Sequence, residues 1–123
     1  MVKRSVLFDI GLFDENIKAW QEHELVIRLS QQRYTESIKM PLVIYRIDIK
    51  DPPRLTNKYH QWKESVRYIE RKHSEKMSLR DKVRFKALAA ADGIGRAKAS
   101  GLKWQWWKNR ILVKLYSFVD KYL

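Results

Sequence analysis

Asp14 and Glu15, followed by Glu22, Glu24 and Arg28, form the densest group of polar residues in an apolar setting. On a helix Glu24 and Arg28 are four apart and share a face, so an ion pair between them is geometrically natural and would hold the arginine in one rotamer. Glu22 and Glu24 are two apart and diverge. One carboxylate can therefore serve structure while the other points into a cleft, where it is a candidate general base for deprotonating a hydroxyl. Spacing alone also allows a plainer reading, in which all of these are solvated charges of an acid-rich helix start. His23, His60 and His73 are too scattered for metal-ligand spacing, and no metal site is expected. The absence of cysteine excludes disulfides, thiolate metal sites and cysteine nucleophiles.

The elements that must position these groups follow from hydrophobic spacing. Val2, Val6, Leu7 and Ile10 recur at helical intervals, and Gly11 supplies the backbone freedom that closes a short helix. A turn follows at Phe13-Asp14-Glu15-Asn16. Residues 19–32 contain no Gly or Pro and put Trp20, Leu25 and Leu29 on one side, which predicts a helix. Residues 33–38 and 42–47 are β-rich and read as two short strands joined through Met40-Pro41. Asp51-Pro52-Pro53 then breaks the pattern and divides the chain into segments 1–50 and 51–123.

Beyond the prolines the spacing predicts three helices. The first opens near Asn57 and runs to about Ser74 around Trp62, Val66 and Ile69. Tyr59, Trp62 and Tyr68 on it are expected in the core, with a sugar-stacking surface as the alternative. Ser78-Leu79-Arg80-Asp81 has the form of a capping box and opens the second, which Asp92-Gly93-Ile94-Gly95 is expected to interrupt. The third, residues 102–123, repeats apolar residues at Trp104, Trp107, Ile111, Leu115, Phe118 and Tyr122.

Charge is distributed unevenly along these elements. Residues 1–49 hold seven basic and seven acidic side chains, so the formal net charge of +12 lies entirely in residues 50–123. Such a balance predicts attraction to polyanions. On the last helix Lys103, Arg110, Lys114 and Lys121 flank a stripe containing Trp104 and Trp107, the pattern of a helix lying on an acidic membrane surface. An amphipathic helix that closes a core has the same pattern, and the sequence leaves both open. Trp104, Trp107, Arg110, Lys114 and Lys121 are the candidate membrane contacts. No apolar run approaches the roughly 20 residues needed to cross a bilayer, and the N-terminus lacks a signal peptide's apolar core. The chain is therefore expected to be cytoplasmic, at most peripheral on the inner face of the cell membrane.

The order of residues adds to this reading. The run Ile10-Gly11-Leu12-Phe13-Asp14-Glu15 and then Glu22-His23-Glu24-Leu25-Val26-Ile27-Arg28 resembles the acceptor-side signature of the inverting family 2 glycosyltransferases. That signature is a Gly-x-Phe-Asp-Glu turn, followed by acidic, any, acidic, Leu, two residues and Arg. Pro41-Leu42-Val43-Ile44-Tyr45-Arg46 is similar to the strand that follows. The resemblance spans about residues 2–57.

It implies that Glu22 is the base, at a position where the family more often has Asp. It implies that Glu24 and Arg28 brace the helix and that Asp14 and Glu15 line the acceptor pocket, with Trp20 and His23 also contacting the acceptor. It implies an α+β, mainly helical fold: the C-terminal part of a GT-A, Rossmann-like glycosyltransferase fold with a short two-stranded element and a basic helical extension. The function implied is sugar transfer from a nucleotide-sugar to a hydroxyl of a sugar or lipid-linked acceptor, in cell-surface polysaccharide synthesis. No Asp-x-Asp motif and no glycine-rich phosphate loop occurs in the chain. No cofactor is expected in this chain, the nucleotide-sugar and a divalent Mg or Mn ion would come only with the missing donor half, and the chain by itself is expected not to transfer sugar. The alternative is a basic helical module without catalysis that binds nucleic acid or docks on membranes. Nucleic acid is the weaker choice, because Glu64, Glu70, Glu75 and Asp81 interrupt the basic residues.

Overall fold

A computed structural model describes residues 2–32, 39–41 and 58–123, and the chain divides into two compact units, Met1–Pro52 and Pro53–Leu123. In the first unit, helix α1 spans Arg4–Asp9 and helix α2 spans Gln21–Gln32. Helix α1 stops because Gly11 takes φ +86°, a left-handed conformation that costs glycine little. The Gly11 N–H then donates to the Phe8 carbonyl (3.1 Å) and the Leu12 N–H to the Leu7 carbonyl (2.9 Å), the bond pair of a Schellman cap. Ile10, Leu25 and Leu29 form the small core of this unit, with Val6 and Leu7 packed against it.

Helix α2 starts two residues later than the spacing suggests. Trp20 sits at φ +70°, outside helical geometry, while its carbonyl accepts from the His23 and Glu24 N–H groups at 3.1 and 3.2 Å. The turn geometry thus overrides the apolar spacing at that end.

The second unit contains α3 (Tyr59–His73), α4 (Leu79–Ala99) and α5 (Lys103–Tyr122). Ser78 and Asp81 open α4 with a reciprocal capping box. Helix α4 ends in a second Schellman cap at Gly101 (φ +68°), where Gly101 N–H reaches the Lys98 carbonyl and Leu102 N–H the Ala97 carbonyl. That tight turn folds α5 back antiparallel to α4, so that Arg80 and Arg84 near the start of α4 meet Asp120 near the end of α5, at 3.2 and 2.9 Å. Tyr59, Trp62 and Ile69 of α3 are buried together with Val83, Phe85, Ala89, Ala90 and Ala97 of α4.

The expected break at residues 92–95 is corrected: α4 continues through both glycines. A Cβ at Gly93 would lie 2.6 Å from Trp62 Cη2 and 2.7 Å from Asn109 Nδ2, so this glycine lets α3 and α5 close on α4 without ending the helix. The α+β, Rossmann-like fold class is corrected as well. Every regular element among the described residues is an α-helix, and no strand or sheet occurs among them. The physical reason is that apolar residues within the described elements recur in steps of three and four, which buries one face of a helix rather than alternate sides of a strand. The segments 33–38 and 42–47, read as strands, lie outside the described residues, as does Asn57.

Candidate functional site

In the first unit the two glutamates of α2 have separate tasks. Glu24 is completely buried. Both its carboxylate oxygens accept from Arg28 Nε at 2.9 Å, and Oε2 lies 2.8 Å from Nη2. The remaining guanidinium N–H groups donate to the backbone carbonyls of Ile10 and Leu12. Those carbonyls lie at the end of α1, where helical partners have run out. One arginine therefore binds α2 to the turn after α1, and the buried carboxylate keeps it aimed there.

Glu22, one turn face away, is exposed, with its side chain at 67% relative accessibility. It lies at an open cleft of about 640 Å³ lined by Phe13, Asp14, Glu15, Ile17, Gln21 and Glu22. Asp14 is held within the turn that helps line it: its Oδ1 accepts from the backbone N–H and the side-chain amide of Asn16, both at 3.0 Å. Its carbonyl takes the Ile17 N–H at 3.1 Å, and Ile17 is buried beneath the turn. The structure thus brings Glu22 together with Asp14 and Glu15. Three carboxylates around one hollow disfavour an anionic guest.

No family model matches the chain, and neither a curated protein nor a solved structure matches it.

Trp20 and His23 are not among the residues lining this cleft. Trp20 is buried and stacks on the His23 ring, with centroids 4.3 Å apart and planes 17° apart. His23 is half-buried, and its Nδ1 lies 3.4 Å from Glu22 Oε1. That nitrogen is buried and, among the described residues, makes no hydrogen bond, to Glu22 or to any other group. Phe13, Ile17 and Gln21 join the lining without having been singled out by the sequence; Phe13 belongs to the Gly-x-Phe-Asp-Glu turn and was the signal available. Among the described residues, no group of three or more His, Asp or Glu side chains is arranged to hold a metal ion.

In the second unit α5 presents its apolar stripe outward. Trp104, Trp107, Ile111, Leu115, Phe118 and Tyr122 are each at least half exposed, from 51% to 74%. The opposite face, with Asn109 buried and Leu112, Val113, Tyr116 and Val119 partly covered, is the one packed in the unit. Arg110 lies 4.5 Å from the Trp106 ring and 5.3 Å from the Trp107 ring, and Lys114 and Lys121 are exposed along the same flank. Asp120, the single acidic side chain of α5, is engaged by Arg80 and Arg84. Tyr59 and Trp62 are buried, and Tyr68 is half-buried. Among the described residues no helix is long and apolar enough to cross a membrane.

Proposed function

We propose that this chain supplies the acceptor side of an inverting, nucleotide-sugar-dependent glycosyltransferase, with Glu22 as the general base. The division of labour between Glu22 and Glu24 is the observation that carries the reading. One carboxylate is buried and spent on Arg28, and the other is exposed at a cleft that the Asp14-Glu15 turn also lines. In the proposed step a hydroxyl of a sugar or lipid-linked acceptor loses its proton to a Glu22 oxygen while its own oxygen attacks the anomeric carbon. The bond from that carbon to the nucleoside diphosphate breaks on the opposite face, and the configuration inverts. The nucleotide-sugar and a divalent ion neutralising the departing diphosphate belong to a donor half outside this chain. The Glu24–Arg28 brace keeps α2 in register with the turn after α1, which is what positioning a reacting hydroxyl requires.

The exposed face of α5 supports a second part of the reading: attachment to an acidic membrane, on the cytoplasmic face. Six large apolar side chains with a lysine and arginine flank suit an interface where rings rest at headgroup depth and cations meet acidic lipids. A module that only tracks nucleic-acid phosphates has no use for that apolar stripe.

The test is Glu22→Gln in an enzyme that carries this chain beside a donor-binding half. Its kcat should fall by about 10²–10⁴-fold, the usual contribution of a general base, with little change in KM for the acceptor. Glu22→Asp, which restores the family's commoner residue, should retain most of the rate. Normal turnover by Glu22→Gln would leave a helical docking module as the better description.

A further inference from the structure

A hollow of about 400 Å³ lies in the second unit between α3 and α5, over α4. Its floor includes buried Trp62, Phe85 and Asn109, and the Asn109 Nδ2 donates to the Tyr59 hydroxyl at 3.3 Å. Lys63 and Arg67, one turn apart on α3, and Lys108 on α5 stand around it. Among the lining residues Glu70 is the single carboxylate, and Lys86 already holds it at 3.2 Å. Four cations against one carboxylate leave three positive charges uncompensated around an apolar floor. No ion pair engages Lys63, Arg67 or Lys108 among the described residues. Their fields converge: partial burial, then the charges of Arg67 and Lys108, hold the Lys63 ammonium below its ordinary range.

We propose that this hollow binds a dianionic phosphate, a phosphomonoester or diphosphate group, presented as the headgroup of an acidic lipid. A phosphate offers enough oxygens to meet all three cations at once, and a guanidinium such as Arg67 can grip two of them in parallel. The lipid source rests on the α5 docking reading and on one residue shared by both features. Trp104 lines the hollow and also begins the exposed stripe of α5, so a headgroup held beside Lys108 has its acyl chains continuing onto apolar surface.

The experiment compares binding of the chain to vesicles containing phosphatidic acid, a phosphomonoester, and to phosphatidylglycerol vesicles matched in surface charge. The parent chain should prefer phosphatidic acid by about tenfold or more, the worth of one or two hydrogen bonds to a charged group. Lys63→Gln with Arg67→Gln should abolish the preference while leaving the binding common to both lipids. Arg71→Gln with Lys76→Gln, which removes the same charge from exposed positions outside the hollow, should keep the preference. Equal binding to both vesicles, or a preference surviving in the Lys63/Arg67 variant, overturns the proposal. Pyrophosphate titrated in solution against the lysine side-chain NMR signals separates the sources. Saturable binding lost in the Lys63/Arg67 variant, without a lipid preference, keeps the phosphate site and overturns its lipid source. Leu115→Glu tests the docking reading separately, because it should weaken binding to both vesicles yet leave pyrophosphate binding intact.

Discussion

The Glu24 carboxylate, shut off from solvent, holds the Arg28 guanidinium so that its Nη1 and Nη2 groups reach the Ile10 and Leu12 carbonyls across the turn. Removing one partner strands the other. Glu24→Gln or Arg28→Met should therefore destabilise the chain by about 3–5 kcal/mol, the usual cost of orphaning a buried charge. Glu24→Leu combined with Arg28→Met should cost less than the sum of the single changes. Urea unfolding, with amide exchange at Gly11 and Leu12, measures both effects; single variants within about 1 kcal/mol of the parent would show a surface-like pair.

Gly93 and Gly95 should respond in opposite directions to the same substitution. A Cβ at Gly93 meets Trp62 and Asn109 below 3 Å, whereas one at Gly95 meets nothing within 4 Å. Gly95→Ala should stabilise the chain by about 0.5–1 kcal/mol through helix propensity. Gly93→Ala gains the same propensity but overpacks the three-helix junction, for a net loss of about 1–2 kcal/mol. Thermal unfolding of the two variants side by side decides the matter.

Acid should weaken the second unit through two carboxylates. Hydrogen bonds from the Ser78 hydroxyl and backbone N–H hold Asp81 below its ordinary range. Partial burial pushes Asp120 up, and hydrogen bonds from Arg84 and Arg80 outweigh it, so that this group too ends below its ordinary range. Both groups bind protons more readily when unfolded. The stability they contribute is complete above the ordinary carboxylate range, above about pH 5, and drains away as pH falls through their depressed folded pKa values. The urea midpoint followed from pH 7 downward should decline over that window, and Asp81→Asn with Asp120→Asn should flatten the decline.

Leu115 occupies the middle of the exposed α5 stripe, at 51% accessibility, so a charge there leaves the core alone. Leu115→Glu should lower affinity for acidic vesicles by about tenfold or more, from the lost burial of one leucine and the added like charge. Circular dichroism should stay unchanged. Flotation that is equally unchanged would point to another membrane-contacting surface.

Local features of this protein were legible in its sequence wherever the deciding interaction spans one or two turns. The Ser78–Asp81 box, the closing role of Gly11, the four-residue spacing of Glu24 and Arg28, and the repeat from Trp104 to Tyr122 are all of this kind. Backbone hydrogen bonds and neighbouring side chains specify them without help from afar. Spacing also shows that Glu22 and Glu24 diverge on the helix, whereas Glu22 as candidate base is what the resemblance implies.

Packing decided the rest. Sequence order does not say that Nη1 and Nη2 of Arg28 reach back to Ile10 and Leu12, or that Gly93 is spared a side chain so that Trp62 and Asn109 can approach α4. It also left the Trp104–Tyr122 stripe of α5 open between closing a core and facing outward, and only the fold turns Asn109 inward and that stripe outward. The meeting of Lys63, Arg67 and Lys108 around one hollow is of the same origin. Those of the second unit depend on the angle at which the Gly101 turn returns the chain, and long-range contacts in both units are selected by burying area and matching shape rather than by any pattern within a single helix.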